Sequence, residues 1–149
     1  GPSGRGSGWA CDVRKRSPYA AYDKVQFDEV LYNEGDSYAR YMVRMKEIEQ
    51  SLHILEQLVD NIPEGDYLAK TKPIIKVPEG RYFKEVEAAR GAFGIYLESR
   101  GDKFPYRLKV NSPGFNLVGA VDHMTRGSKI ADLIAIGGSL DYVVPDIDR

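Results

Sequence analysis

The chain has 149 residues, the length of a single domain, and 42% of them are hydrophobic while 29% are charged. Its net charge of −1 gives no global attraction to nucleic acid or to an anionic membrane. Cys11 is the only cysteine, which excludes an intrachain disulfide and a CxxC metal or redox site. No run approaches the roughly 20 apolar residues that a bilayer-spanning helix needs.

Residues 1–33 form a glycine-rich, basic arm. Four glycines lie among the first eight residues, and Arg14, Lys15 and Arg16 form a short basic run. Because the segment is long and irregular, we expect it to cover other surfaces rather than to build a core of its own. Its start has no methionine and no apolar core of a signal peptide, so we expect a piece of a longer protein.

Residues 34–62 are predicted to form one long bundle helix. Asp36 or Ser37 is placed to cap its first free N–H groups, and Pro63 ends the run. Apolar residues recur in steps of three and four along one stripe, at Tyr38, Tyr41, Met42, Met45, Ile48, Leu52, Leu55, Val59 and Ile62. The helix from Asp36 to Ile62 would be about 40 Å long, which is typical of a bundle whose other helices lie elsewhere.

The remainder predicts a proline- and glycine-rich loop at 63–83, followed by an α+β part at 84–149. Strand-forming residues recur near 83–87, 93–97 and 106–110, and the turn at 100–103 predicts a β-hairpin. Two short helices are expected, at 116–125 and 129–136, and Gly137 and Gly138 should end the second. The tail that follows, residues 139–149, is apolar at its centre, so we expect it to be anchored against the rest of the protein.

Several kinds of site are poorly supported. His53 and His123 stand far apart without a cysteine or acidic companion at ligand spacing, so no zinc site is predicted, and His53 fits the flank of the long helix. The Gly-x-Gly runs near the start follow no strand and therefore fail the test for a dinucleotide loop. Cys11 has no nearby histidine that would activate it as a nucleophile.

Three stretches carry more information: RGSGWACDVRK at 5–15, EVEAARGAFGIYL at 85–97 and GSLDYVVPDIDR at 138–149. The first places Arg5, Asp12 and Arg14 in a glycine-rich loop, for which a solvated loop remains the alternative. The second places Arg90 and two glycines before a strand, where glycine allows close approach of another backbone. The third gathers aspartates around an apolar centre, and a disordered polar tail is the alternative there.

Together these stretches resemble the 49-kDa (D) subunit family of respiratory complex I. The blocks RGSGWACDVRKRSPYAAYD, GDSYARYMVRMKEIEQS, EVEAARGAFGIYLES and RGSKIADLIAIGGSLDYVVPDIDR occur in that family's order and spacing, from Gly1 to Arg149. The resemblance implies part of a larger hydrogenase-large-subunit-like fold. It also implies electron transfer from a terminal iron–sulfur cluster to quinone, coupled to proton translocation. Departures occur at Ala89, Ala92, Tyr142 and Pro145, where the family usually has other residues.

The resemblance also implies which residues matter. The wall of the quinone pocket would include Asp141, Val143, Asp146 and Arg149. Further site candidates are Arg5, Asp12, Arg14, Arg90, His123 and Arg126. In hydrogenase relatives two nickel-binding cysteines fall at the positions of Val143 and Asp146, and neither residue can supply a thiolate. No catalytic residue and no metal ligand are assigned.

By the same resemblance, this part binds no cofactor and is inactive alone, while quinone is the substrate and NADH and iron–sulfur clusters belong to partner subunits. The expected partners are the subunit with the terminal cluster, other peripheral-arm subunits and the membrane subunit at the quinone entrance, with no nucleic acid. The location would be peripheral, on the cytoplasmic side of a bacterial inner membrane, and the isolated piece should self-associate. Two alternatives remain, namely the large subunit of an energy-converting hydrogenase and a scaffold module without chemistry.

Overall fold

The computed structural model describes residues 1–148 and has an α+β fold, as predicted. The helices are α1 Pro2–Arg5, α2 Val13–Arg16, α3 Ser37–Val59, α4 Pro113–Thr125, α5 Ile130–Leu140 and α6 Val144–Ile147. The strands are β1 Gly80–Ala88, β2 Gly91–Ser99 and β3 Arg107–Asn111. Among residues 1–148, no helix is both long and apolar enough to cross a membrane.

Helix α3 is one uninterrupted helix, as its residue pattern predicts. The Asp36 side chain accepts a hydrogen bond from the Ala39 N–H at 2.7 Å and so caps the first turn. The helix ends at Val59, with Asp60 as its C-cap, rather than at the predicted Ile62. Its buried residues are Ala39, Arg40, Val43 and Ile54. Most of the apolar stripe is therefore exposed, with Leu52 55% accessible.

The sheet is antiparallel, in the order β1–β2–β3. The predicted hairpin corresponds to β2 and β3, with Glu98 opposite Arg107. The first strand begins at Gly80, within the segment that was expected to be loop. Strands β1 and β2 are paired from end to end and close between Ala88 and Gly91, so a two-residue turn carries Arg90 at its tip. Gly91 has a φ of 133°, which an L side chain rarely adopts.

The two C-terminal helices differ from their predicted bounds. Helix α4 begins at Pro113 rather than at Asn116, because Ser112 caps it and proline suits the first helical position. The predicted end of helix α5 at Ile136 is wrong, because the helix continues through Gly137 and Gly138 to Leu140. Glycine costs about 1 kcal/mol relative to alanine inside a helix. The nearly complete burial of Leu140 offsets the cost of the two glycines, about 2 kcal/mol together.

The core is small and lies where the arm meets α3, β1 and α5. Helix α1 packs against α3, α2 packs against β1, and α5 packs against α3. The most buried apolar residues are Val13, Ala39, Val43 and Leu140. Three charged residues, Arg5, Asp12 and Arg40, are as deeply buried as these. The arm therefore brings charged groups into the interior, where they must be paired.

Candidate functional site

Arg5 is the centre of a buried cluster of charges contributed by the arm, α3 and β1. Its side chain is 2% exposed, and its Nη1 donates to Glu87 Oε1 at 2.9 Å. Its Nη2 lies 2.5 Å from Glu47 Oε1, and Nη1 lies 4.0 Å from Asp12 Oδ2. Glu87 also accepts a hydrogen bond from the Val13 N–H at 3.1 Å. The cluster therefore ties the arm to both the long helix and the first strand.

Asp12 and Arg14 form a two-point pair beside Arg5. Arg14 Nε donates to Asp12 Oδ1 at 3.0 Å, and Nη2 donates to Oδ2 at 2.6 Å. Burial by itself would raise the pKa of Asp12, but the hydrogen bonds and charge of Arg14 hold that pKa below its usual value. The Arg14 guanidinium also lies over the Phe27 ring, 4.9 Å from its centroid. Asp12 also accepts a hydrogen bond from the Arg14 N–H at 2.9 Å, so the pair caps the start of α2.

The structure brings together Arg5, Asp12 and Arg14, all of which the sequence suggested, but the two glutamates that pair with Arg5 were missed. Glu47 is on α3 and Glu87 is on β1, far away in sequence. Burial raises the pKa of Glu47, and the charges of Arg5 and Arg14 offset only part of that rise. The one signal in the sequence was that Glu85 and Glu87 alternate with Val86 along a predicted strand, which places the two glutamates on the same face.

Arg90 and Asp141 connect the β1–β2 turn to the start of the tail. Arg90 Nη2 donates to Asp141 Oδ1 at 3.0 Å, and Arg90 Nε donates to the Asp141 carbonyl oxygen at 3.1 Å. Asp141 has a left-handed backbone with a φ of 56°, which ends α5. Aspartate tolerates this conformation better than most residues. The two candidates from separate stretches thus form one unit.

Asp146 braces the tail against the beginning of α4. The Ser112 hydroxyl donates a hydrogen bond to Asp146 Oδ2 and also accepts from the Gly114 N–H at 3.2 Å. A Cβ on Gly114 would lie 2.8 Å from Asp146 Oδ2, so only glycine allows this approach. Val143 stands between the two anchors, is half-buried and precedes α6. Arg149 lies outside the described residues.

His123 and Arg126 stand apart from the other candidates. Both are exposed on or just after α4, and Arg126 Nη2 pairs with Asp122 at 2.5 Å. Within residues 1–148, no hydrogen bond or ion pair joins either residue to the Arg5 cluster or to the tail. The same part of the chain contains no group of three or more His, Cys, Asp or Glu side chains that could hold a metal ion.

A cavity of about 190 Å³ lies between the arm, the β1–β2 turn and α4. Its lining includes Trp9, Cys11, Arg16, Arg90 and Asn116. Arg16 Nη1 donates to Cys11 Sγ at 3.1 Å. The lining does not include Asp141, Val143 or Asp146, although Arg90 contacts the first of these. Small-molecule sites usually measure about 300–1,000 Å³, so this cavity could hold only part of a ligand.

Two arginines of α3 extend the charged region toward the tail. Arg40 is 2% exposed and donates to Ser139 Oγ at 2.9 Å, two residues before Asp141. One turn later, Arg44 donates to the Arg40 carbonyl oxygen at 3.3 Å. Burial lowers the pKa of Arg44, and the charges of Asp141 and Glu47 act in the opposite direction. The pKa of Arg44 therefore depends on one carboxylate of the Arg5 cluster and on one carboxylate of the tail.

Comparison with known proteins identifies relatives over the whole chain. The family model described as "Respiratory-chain NADH dehydrogenase, 49 Kd subunit" matches residues 1–75 and 69–149. The C/D subunit of the NADH-quinone oxidoreductase of Bacteroides fragilis is 68% identical over 149 residues, which are all of this chain and 28% of that protein. The corresponding D subunit of Desulfotalea psychrophila is 55% identical over 150 residues, and the match covers 40% of its length.

A solved structure is also similar, namely that of the membrane-bound sulfane sulfur reductase, an archaeal respiratory membrane complex. It has a TM-score of 0.91 and 41% sequence identity, and the match covers 100% of this chain and 42% of that one. This chain spans well under half the length of each of these relatives.

Proposed function

Because the chain belongs to the family of the 49-kDa subunit of respiratory-chain NADH dehydrogenase, we propose that it forms part of the quinone-reducing core of a proton-translocating NADH:quinone oxidoreductase. Electrons would pass from a terminal iron–sulfur cluster in a partner subunit to quinone. The observation that carries this proposal is the 66–68% identity, over the entire chain, to C/D subunits of NADH-quinone oxidoreductases. Quinone reduction takes up two protons, so charged groups near the site matter for the reaction.

The tail is proposed as one wall of the quinone pocket, with Asp141, Val143, Asp146 and Arg149 lining or bracing it. A quinone ring needs an apolar slot with a few fixed polar groups. Arg90 fixes Asp141 and Ser112 fixes Asp146, so the backbone that carries Val143 is held at both ends. The stiff, β-branched side chain of Val143 can then present a constant apolar surface.

The Arg5 cluster is proposed to support this wall rather than to touch quinone. Arg5 and Asp12 are each only 2% exposed and have charged partners. Groups so enclosed have no free surface to offer a substrate, but they hold the arm against α3 and β1. Arg90 is different, because it both lines the cavity and binds Asp141. Among the secondary candidates it has the strongest geometric connection to the tail.

The setting proposed for the chain is the peripheral arm of the complex, on the cytoplasmic side of a bacterial inner membrane. The proposed neighbours are the iron–sulfur subunit with the terminal cluster, other peripheral-arm subunits and the membrane subunit at the quinone entrance. NADH and the clusters would bind to partner subunits. The exposed apolar stripe of α3, which includes Ile48, Leu52 and Leu55, supports burial against further protein.

The reduction of sulfane sulfur is a second candidate function. It is favoured by the structural similarity to the archaeal sulfane sulfur reductase, at 41% identity. That identity is lower than the 66–68% shared with the NADH-quinone oxidoreductase relatives. A hydrogenase is less well supported, because Val143 and Asp146 occupy the positions where hydrogenase relatives have cysteines.

The experiment that separates these functions uses the full-length subunit in its assembled membrane complex. The purified complex is given NADH together with one acceptor in each of several parallel reactions: a short-chain quinone, polysulfide, or ferricyanide as an artificial acceptor. A further reaction without an added acceptor is monitored for hydrogen production. We expect NADH-driven reduction of quinone that a quinone-site inhibitor abolishes while ferricyanide reduction continues. Polysulfide reduction without quinone reduction would support the second candidate, and hydrogen production would support a hydrogenase. Reduction of ferricyanide alone would favour the scaffold alternative.

A further inference from the structure

The cavity of about 190 Å³ is built on one face of the sheet. Its lining includes Ala92 and Asn111, which the strand register places on the same face as Glu85. The arm covers this face, because Arg16 lines the cavity and its Nη2 donates to Glu85. The first turns of α4 line another side, through Asn116. Three separate parts of the chain therefore enclose one space.

Trp9 gives the cavity an aromatic wall. Its ring lies against Gly4, since a Cβ on Gly4 would meet Trp9 Cε3 at 2.7 Å. The Trp9 side chain is 63% exposed, so the cavity lies close to the surface, where a ligand can reach it. Further apolar lining comes from Ala92 and Leu117. An aromatic wall beside aliphatic side chains suits a flat ring, which can stack on the indole.

The polar lining offers N–H donors rather than net charge. Arg90 uses Nε and Nη2 to bind Asp141, and within residues 1–148 its Nη1 donates no hydrogen bond. The side-chain amide of Asn116 has no hydrogen-bond partner in the same range. Asp141 matches the charge of Arg90, and Arg16 is matched in the same way by Glu85. A neutral ligand with a carbonyl acceptor therefore fits this lining better than an anion, which the two carboxylates would repel.

The volume of the cavity limits how much of such a ligand it can hold. A cavity of about 150 Å³ in a protein core can bind benzene. At about 190 Å³, this cavity has room for one substituted six-membered ring but not for a long chain attached to that ring. Among the described residues, no aspartate or glutamate lines the cavity. Size and lining together point to the ring of an aromatic or quinonoid carbonyl compound.

We propose that this cavity is a subsite for the ring of a quinone, which stacks on Trp9 and accepts hydrogen bonds from Arg90 Nη1 and the Asn116 amide. The inference rests on the proposed quinone reductase function and adds a position for the ring beside the tail, apart from Val143. Arg90 connects the two positions, because it lines the cavity and also binds Asp141. The same guanidinium thus fixes the start of the tail and offers a donor to the ring.

The chain contains two reporters of this cavity. Cys11 is its only cysteine and lines the cavity, where its Sγ accepts from Arg16 Nη1 at 3.1 Å. A bound ring should slow the alkylation of Cys11 by iodoacetamide, measured by mass spectrometry of the 149-residue chain. Trp9 is the only tryptophan, so quenching of its fluorescence by a quinone gives a second signal.

The probe is duroquinone, because methyl groups occupy every ring position at which a thiol could add. Durene, which has the same ring and methyl groups without the carbonyl oxygens, is the matched control ligand. Terephthalate tests whether the cavity prefers an anion. Each is titrated while the rate of Cys11 alkylation is followed.

We expect duroquinone to protect Cys11 and to quench Trp9 with the same half-saturating concentration. It should bind about threefold to tenfold more tightly than durene, as one neutral hydrogen bond predicts. Asn116→Leu should weaken duroquinone binding by about that factor and leave durene unchanged. Ala92→Leu fills the cavity and should weaken both ligands at least about tenfold. Ala89→Leu is its control, because Ala89 is exposed and outside the lining, and it should change neither.

The same variants in the full-length subunit separate ring binding from assembly. In the assembled complex, Asn116→Leu should raise KM for duroquinone about threefold to tenfold. The value of kcat and the rate of ferricyanide reduction should stay at the wild-type level, since a position that only binds the ring does not change the later steps. A fall in ferricyanide reduction together with quinone reduction would assign Asn116 to assembly and contradict the subsite.

Several further results would overturn the inference. Absence of saturable protection of Cys11 by duroquinone, or equal binding of durene, would exclude a carbonyl-binding subsite, and stronger protection by terephthalate would make the cavity an anion site. If Ala92→Leu does not fold, the exposed Asn116→Leu variant still decides the question. A wild-type complex that reduces no quinone would remove the proposed function itself. Unprotected Cys11 with normal quinone turnover would remove only this subsite, so the two failures are distinguishable.

Discussion

The Arg90 guanidinium binds Asp141 at two points, the side-chain Oδ1 at 3.0 Å and the backbone carbonyl oxygen at 3.1 Å. Arg90 stands at the tip of the β1–β2 turn, and Asp141 ends α5 with a left-handed backbone. The contact therefore joins two parts of the chain that are about 50 residues apart in sequence. It holds the start of the tail against the β1–β2 turn.

The contribution of this pair to stability should nevertheless be modest. Its side chains are 37% and 41% exposed, so solvent screens much of the attraction. A double-mutant cycle with Arg90→Met and Asp141→Asn, measured by denaturant unfolding of this chain, should give a coupling free energy of about 0.2–1 kcal/mol. A coupling well above that range would mean that the pair holds the fold together rather than orienting the tail.

The exposed stripe of α3 predicts a sharp difference between two aspartate substitutions. Leu52 is 55% exposed, so Leu52→Asp should change the free energy of unfolding of the isolated chain by no more than about 0.5 kcal/mol. Val43, on the opposite face, is fully buried, and Val43→Asp should cost at least about 3–4 kcal/mol. Urea unfolding of both variants checks this, and a large loss in Leu52→Asp would indicate that copies of the chain bury the stripe against one another.

Residue patterns were sufficient for the elements that depend on local sequence. The cap at Asp36 and the steps of three and four predicted α3, and the turn residues near 100–103 predicted the β2–β3 hairpin. The predicted end of α5 was wrong because glycine was treated as a stop signal. The helix continues past Gly137 and Gly138, since this allows Leu140 to be buried. Tertiary packing overrode local propensity there.

The candidate site was only partly predictable, for a related reason. Resemblance to a family suggested Arg5, Asp12, Arg14, Arg90 and Asp141, and the structure joins these in two ion-paired groups. Glu47 could not be found, because on a helical pattern it is one polar residue among several. Only the way the arm folds over α3 shows that it faces inward. Long-range pairing of this kind leaves no periodic signal in a single sequence.

Gly114 and Gly119 provide a matched pair on α4. A Cβ on Gly114 would meet Asp146 Oδ2 at 2.8 Å, whereas nothing lies within 4 Å of one on Gly119. Gly119→Ala should raise the free energy of unfolding by about 0.5–1 kcal/mol through its better helix propensity. Gly114→Ala should lower it, because the tail must move away from Ser112. Thermal unfolding of the two variants gives the comparison, and equal stabilisation in both would argue against the close contact with the tail.

The lowered pKa of Asp12 leads us to predict that the free energy of unfolding depends on pH in acid. Its pKa in the folded chain lies below the usual value of 3.8, so its stabilising contribution is present above that value and is lost as pH falls through the folded pKa. Asp12→Asn should cost about 3–5 kcal/mol at neutral pH, because it leaves Arg14 buried without its partner. This difference from the wild type should narrow in acid, where Asp12 itself becomes neutral.

Asp122→Asn is the control for that effect, because the Asp122–Arg126 pair is exposed. Its free energy of unfolding should stay within about 0.5 kcal/mol of the wild type at neutral pH. Chemical unfolding at a series of pH values tests both variants. A constant difference between Asp12→Asn and the wild type from neutral to acid pH would contradict the role given to the Asp12 ionisation.

The most direct test of the proposed quinone wall compares two neighbouring valines in the assembled complex. Val143 is half-buried between the two anchors of the tail, whereas Val144 is 64% exposed. The measurement is the inhibitor concentration that halves quinone reduction, for Val143→Met and Val144→Met, with reduction of an artificial acceptor as the measure of assembly. We expect Val143→Met to change that concentration about tenfold, or about 1.4 kcal/mol of binding, at normal assembly, and Val144→Met to match the wild type. Unchanged inhibition and normal quinone turnover in Val143→Met would contradict a place for the tail in the quinone site.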